Sequence, residues 1–381
     1  MKKLIKRVMV LLLFWGLTAC GGGSPDDSTI GPSTSDSTDV TDATDASDTG
    51  LSGGIENFRN YTAGPATFVK IEQSDENSSA FPTLSSIPTH DADRIAINDT
   101  ALVAADKGSG ELKVIDLNSF TEIGRLNNVS TVLALNFSSD ATLYIDTVGQ
   151  GLRKISLSDP GESFQLRRIL TFYTAYESFV RDNTLFQTMG VNGLLEVWDI
   201  ENSDRPSLVS RVSFKDEDIS ENELLFPFQG RAFASIDNNT LLIAARAGGG
   251  FVLDITHPEA PFIRDRYFPE NTQIWDVAVA GSNAYLAAGN QIHVLDISNP
   301  NNIVPIIGID VPGFVQKVKI NDGHAAFALA EAGVLLHRLA DDPKMNYTLI
   351  PMPQGAVAQD AVYQSDAVYV AAGTQVLKLS R

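Results

Sequence analysis

From residue 91 onward, hydrophobic positions fall into runs of five to eight residues, rich in Val, Ile, Leu, Ala and Tyr and broken by Gly, Asn, Ser and Pro. Runs of that length between turn residues predict strands, because a helix needs roughly ten or more residues to pack one face. The clearest stretch is TQIWDVAVAGSNAYLAAGNQIHVLDISNPNNIVPIIGI at 272–309, cut into four runs by Gly-Ser-Asn, Gly-Asn and Ser-Asn-Pro-Asn-Asn. Residues 91–126 and 315–350 divide in the same way. Within a run nearly every position is apolar instead of every second one, as expected of strands covered on both faces.

The third run of each unit carries a recurring phrase. IHVLDISNP at 292–300 has relatives in LKVIDLNSF, LRKISLSDP, LEVWDIENS and FVLDITHP. Aligning on its acidic position gives Asp116, Ser156, Asp199, Asp254, Asp296, His337 and Lys378, with a period near 41 residues and one long step of 55 between Asp199 and Asp254. Four short antiparallel strands repeated at that period predict a propeller, in which each four-stranded blade buries its faces against its neighbours. The Asp ends a strand just before a turn, a place where a carboxylate accepts backbone N–H bonds; that reading makes the phrase architecture, not chemistry.

This phrase, following a small-residue strand and a Gly turn, resembles the LVIVD repeat, best at VLDITHPEAP and VLDISNPNNI. The resemblance implies a bacterial propeller of the kind found on exported and surface proteins, spanning residues 91–381. The expected fold is therefore all-β: a seven-bladed β-propeller of four-stranded antiparallel blades. The last copy stops after its third strand, so the ring is expected to be closed by an N-terminal strand. ATFVKIEQ at 66–73, in a lead-in covering 55–90, is expected to pair with Val376–Leu379.

The N-terminal residues change the picture of where such a fold works. Lys2, Lys3, Lys6 and Arg7 precede the apolar run VMVLLLFWGL, too short to span a bilayer, which needs about 20 residues. Leu17-Thr18-Ala19-Cys20 then resembles a lipobox, and Cys20 is the sole cysteine. The expectation is a lipoprotein signal peptide at 1–19, with lipid on Cys20 as the anchor. Residues 20–54 follow as a disordered tether, and residues 24–50 of it contain seven Asp, twelve Ser or Thr and no Lys or Arg. The protein is then expected in a bacterial cell envelope, held to the bilayer by acylated Cys20, with the outer membrane favoured.

Charge and motifs narrow the chemistry. The formal net charge is −19, and loss of the four basic residues of the signal lowers it to −23. That balance argues against nucleic acid as a partner. The five histidines show no metal-ligand spacing, and no nucleophile elbow or phosphate-binding glycine loop occurs, so no cofactor and no metal are expected.

Function is then sought in the connections that break the repeat. Aromatic candidates for binding are Phe172, Tyr173 and Tyr176 before the third unit, Phe226 and Phe228 in the insertion before the fourth, and Tyr267, Phe268 and Trp275 before the fifth. Alignment on Trp275-Asp276 places Asp93, Arg94, Arg231, Asp276, Lys317 and Asp360 at the channel mouth. These residues favour a binding or scaffold propeller with a protein or carbohydrate partner. The alternative is a hydrolase or lyase acting on extracellular polysaccharide through Asp93, Asp276 and Asp360.

Overall fold

The structure, a computed structural model, describes residues 61–71, 81, 83–137, 142–148, 151–157, 167–168, 175–189, 194–202, 205–213, 230–344 and 346–380. These belong to one compact unit that runs from Thr49 to Arg381. All of their regular structure is β.

Five sheets stand as separate blades. Their innermost strands are Val132–Phe137, Ala175–Arg181, Ala232–Asp237, Asp276–Ala280 and Lys317–Asn321, each followed outward by three further antiparallel strands in chain order. The remaining strands form one continuous seven-stranded sheet. In it Asp360–Gln364, Ala367–Ala371 and Gly373–Ser380 are followed by Thr83–Ile97, which leads on to Ala101–Asp106, Leu112–Asp116 and Thr121–Leu126. The innermost strands pack side by side around the ring, and Asp360–Gln364 returns to Thr83–Ile97. This is a β-propeller.

Two expectations are corrected by this topology. Five discrete blades form, not seven separate four-stranded ones, because the strands from the two chain ends are hydrogen-bonded into a single sheet by the 15-residue strand Thr83–Ile97. Its first half pairs with Gly373–Ser380, Leu84 opposite Leu379 and Ile87 opposite Val376; its second half pairs with Ala101–Asp106 after a register shift between Pro88 and Ala92.

The segment at 66–73 does not close the ring. Phe68–Lys70 instead runs parallel to Val304–Asp310, with Phe68 opposite Gly308 and Lys70 opposite Asp310. The physical reason lies in exposure. The strand that meets Gly373–Ser380 is an outer one whose Leu84, Ser85 and Ser86 face solvent, so it needs little apolar character and carries no hydrophobic signal. Phe68 finds its seat because Gly308 has no side chain; a Cβ there would lie 2.2 Å from the Phe68 ring.

The repeated phrase explains itself locally. Asp116, Asp199, Asp254 and Asp296 each accept a backbone N–H just ahead, from Ser119 at 2.8 Å, Glu201 at 2.9 Å, Thr256 at 2.8 Å and Ser298 at 2.9 Å. The bond from Ser119 holds the carboxyl of Asp116 below the usual carboxylate range, and the bond from Ser298 does the same for Asp296. In the same four sheets the pairing of the third and fourth strands slips by one residue immediately before the apolar residue that precedes Asp, at Val114/Ile115, Val197/Trp198, Val252/Leu253 and Val294/Leu295. Such a bulge bends the outer strand and increases its twist. The sheet with His337 at this position has no shift there.

The core lies between successive sheets. One cluster joins Tyr285, Val294 and Ile307 of one sheet to Phe327, Leu335 and Leu349 of the next, with the Tyr285 and Phe327 rings 6.1 Å apart. Full burial of each such side chain contributes about 1.5–3 kcal/mol, and neither face is covered without its neighbour, so the ring is the cooperative unit.

Candidate functional site

The innermost strands surround a cavity of about 370 Å³. Arg94, Asp276, Lys317 and Asp360 of the predicted mouth residues line it, together with Glu177 and Lys319. Position along the strands accounts for this: Asp276, Lys317 and Asp360 each open an innermost strand, and Glu177 and Lys319 stand close behind such a start.

Carboxylates here stitch one innermost strand to the next. Asp276 accepts the Val318 N–H at 2.8 Å through one oxygen and faces the Lys317 ammonium at 3.3 Å through the other. Asp360 repeats the arrangement across the chain ends, accepting the Ile95 N–H at 3.0 Å and the Lys319 ammonium at 2.6 Å. Lys319 also donates to the Ile95 carbonyl. Burial alone would pull Lys317 down, yet Asp276 and Glu177 outweigh it and hold the ammonium above its ordinary range.

Asp93 is buried just outside the lining and pairs with Arg94 at 3.1 Å. Burial raises its carboxyl, with Arg94 opposing. Arg94 reaches onward to the Leu133 carbonyl at 3.1 Å, so this pair too spans adjacent innermost strands.

Glu177 differs from these carboxylates in having no ion pair among the described residues. Its side chain is buried, Oε1 accepts only a long bond from the Asn136 amide at 3.5 Å, and Oε2 has no hydrogen-bond partner among the described residues. Burial pushes its carboxyl up to about 7, against the pull of Lys317. Behind it Asp146 is also raised by burial to about 7, and accepts the Ser178 hydroxyl at 2.6 Å. The column that selects Asp93, Asp276 and Asp360 passes close to Glu177, but the aromatic run around it reads as a connecting loop. Lys319 had no such signal, since it stands two residues past the aligned position that selects Lys317.

At one end of the cavity, arginines and aromatics interleave. Arg231 lies over the Tyr176 ring at 4.1 Å and over Trp275 at 5.6 Å, while Arg246 lies over Trp275 at 4.5 Å. Trp275 meets Phe314 edge to face at 5.5 Å. Tyr176, Arg231, Trp275 and Phe314 lie at or just before the starts of four successive innermost strands, which places them at the same end of the ring. Burial lowers Arg231 to about 10, so its guanidinium remains charged at neutral pH. Each such contact is worth roughly 0.5–2 kcal/mol.

The other aromatic candidates scatter. Tyr267 is fully buried, so its predicted place on a rim is corrected: its hydroxyl shares a 2.7 Å hydrogen bond with His293 inside the fold. Phe268 packs on Tyr61 at 5.2 Å and beneath the Arg266 guanidinium at 4.6 Å. Phe172, Tyr173, Phe226, Phe228 and Cys20 lie outside the described residues, as do the expected signal peptide and tether. Among the described residues, no group of three or more His, Cys, Asp or Glu could hold a metal ion.

Comparison with known proteins agrees with this architecture. The Cps50 (Swd1) β-propeller domain of Myceliophteria thermophila is 12% identical, with a TM-score of 0.59 over 78% of this chain and 98% of that one. The WD40 repeats of RRP9 give 13% identity and a TM-score of 0.60 over 80% and 98% of the two chains. Raptor of Chaetomium thermophilum gives 12% and 0.62 over 77% of this chain and 28% of its own. At these identities the likeness is one of fold alone. No curated protein matches the sequence. The family model of the LVIVD repeat matches residues 273–306, so this propeller carries an LVIVD repeat in the blade that contains Trp275, Asp276 and IHVLDISNP.

Proposed function

We propose that the protein is a non-enzymatic binding propeller, anchored by lipid on Cys20 outside the cytoplasm, that presents its arginine and aromatic rim to a protein or carbohydrate of the cell envelope or its surroundings. The observation that carries this reading is the group Tyr176, Arg231, Trp275 and Arg246, drawn to one end of the ring from the starts of three innermost strands and, for Arg246, from the turn between Thr240–Ala244 and Gly250–Asp254. Aromatic and arginine side chains on a rigid scaffold are the usual anchors of recognition surfaces. The basic n-region, short apolar run and sole cysteine support the anchor.

Polysaccharide hydrolysis through Asp93, Asp276 and Asp360 draws less support. General acid and nucleophile roles need carboxylates open to substrate, whereas Asp276 and Asp360 are occupied by backbone N–H groups and lysines.

The test is capture of partners from envelope extracts by the wild-type protein, a Trp275→Ala/Arg246→Ala variant and a variant lacking residues 215–228. Loss of the same partners from the rim variant supports the reading; identical partner sets from all three remove it. Fractionation of a Cys20→Ser variant tests the anchor separately, with a shift from the membrane to the soluble fraction as the expected result.

A further inference from the structure

Charge matching within the cavity leaves one group over. Arg94 has Asp93 at 3.1 Å, Lys317 has Asp276 at 3.3 Å and Lys319 has Asp360 at 2.6 Å. Glu177 has no such cation among the described residues, and its Oε2 has no hydrogen-bond partner there. The residue is 9% exposed, so bulk water does little to compensate.

The surroundings of Glu177 describe what would complete it. The cavity of about 370 Å³ adjoins a second of about 150 Å³, and the two share Asn136, Phe137, Glu177 and Phe233. A volume of this size falls at the small end of the roughly 300–1,000 Å³ typical of ligand sites. The walls beside the carboxylate are aromatic, with Phe179 and Tyr144 added in the smaller space. A metal ion is disfavoured, because no three acidic or histidine ligands converge among the described residues. An anion is disfavoured too, since each of the lining cations Arg94, Lys317 and Lys319 already has its carboxylate.

We propose that this cavity binds a small organic primary ammonium, which donates an N–H to the carboxylate of Glu177 and lays its apolar body along Phe137 and Phe233. The ligand supplies the missing charge and adds a donor to a carboxylate whose one hydrogen bond, from Asn136, is long at 3.5 Å. An ammonium without N–H groups satisfies only the first need, and a carboxylate neither. This site is separate from the arginine and aromatic rim, so it stands or falls independently of partner capture.

The experiment is calorimetric titration of the full chain at pH 8 with ethylammonium, phenethylammonium, its N-trimethylated counterpart and 3-phenylpropionate. The expected result is saturable binding of a primary ammonium with a Kd of about 1 mM or tighter, at least tenfold weaker binding of the trimethylated probe, and none of the carboxylate. Glu177→Gln should weaken the primary ammonium at least tenfold while retaining a cooperative melt. Absence of binding by both primary ammonium probes up to about 10 mM, or equal affinity for the trimethylated probe, overturns the proposal. Unchanged affinity in Glu177→Gln overturns it as well. If that variant does not fold, the probe series on the wild-type chain decides alone.

Discussion

The carboxylate of Asp360 accepts the backbone N–H of Ile95 at 3.0 Å, joining residues 265 positions apart in the chain. With Lys319 on the same oxygen at 2.6 Å, one side chain ties together three innermost strands at the place where the two chain ends meet. Removing it leaves a mostly buried ammonium and a buried N–H without their acceptor. Asp360→Ala should therefore cost about 2–4 kcal/mol in chemical denaturation, and Asp360→Asn less, because an amide oxygen still accepts from Ile95. Equal losses in the two variants would mean that the charge, not the acceptor, carries the effect.

The two N-terminal strands should differ sharply in importance. Deleting residues 83–88 removes the outer partner of Gly373–Ser380 and exposes a long edge, so the melting transition should fall strongly or broaden. Deleting residues 66–71 removes Phe68–Lys70, whose Phe68 and Val69 are exposed, together with the half-buried Ile71 at the edge of the core, and should lower the melting temperature by a few degrees at most. Scanning calorimetry of both deletions compares them directly.

Gly308 sets the seat of Phe68. Any side chain at 308 meets the aromatic ring, so Gly308→Ala should release the strand Phe68–Lys70 while leaving the rest of the blade intact. Hydrogen exchange in that variant should rise at position 308, whose N–H is given to the Thr67 carbonyl at 2.8 Å in the wild type, and at Ile71, bonded to the Asp310 carbonyl at 2.8 Å. The double variant Gly308→Ala/Phe68→Ala should recover protection. Continued exchange in the double variant would show that the clash is not the cause.

Acid stability should depend on His293. Burial lowers this imidazole to about 4, with Asp310 opposing, and its neighbours are the Tyr267 hydroxyl, Gln291 and the Phe68 ring. A histidine depressed in the folded state binds its proton more readily when unfolded. Its contribution is complete above the unfolded value near 6.5 and declines as the pH falls from there to about 4. Wild-type stability should thus drop across that window by on the order of 2–3 kcal/mol more than that of His293→Gln. Parallel pH profiles for the two proteins are the result that rejects this.

Glu177 should act in the opposite sense. Its carboxyl is raised by burial to about 7, with Lys317, Asp276 and Asp146 as the charged groups that act on it and Asn136 as its hydrogen-bond donor. Folding therefore becomes less favourable as the pH rises from the unfolded value near 4.5 to about 7, where the buried group ionises. Glu177→Gln should melt above the wild type at pH 8 and close to it at pH 4. A variant that melts lower at both values would contradict this account.

What could be read from the sequence alone was whatever depends on near neighbours. Strand lengths, the four-run unit and the turn-fixing role of Asp296 were all legible, because an Asp and the N–H two residues ahead meet in any chain that turns there. The acidic column at the start of the innermost strands was legible for the same reason of repetition. Tertiary structure decided the rest. Which segment joins Gly373–Ser380 was settled by sheet closure, and the chosen strand is too polar to announce itself. The merging of the chain ends into one sheet, the burial of Tyr267 and the isolation of Glu177 depend on groups supplied by other parts of the chain. A sequence specifies where a carboxylate stands along a strand, but its burial and its partners are set by the strands that the closed ring brings around it.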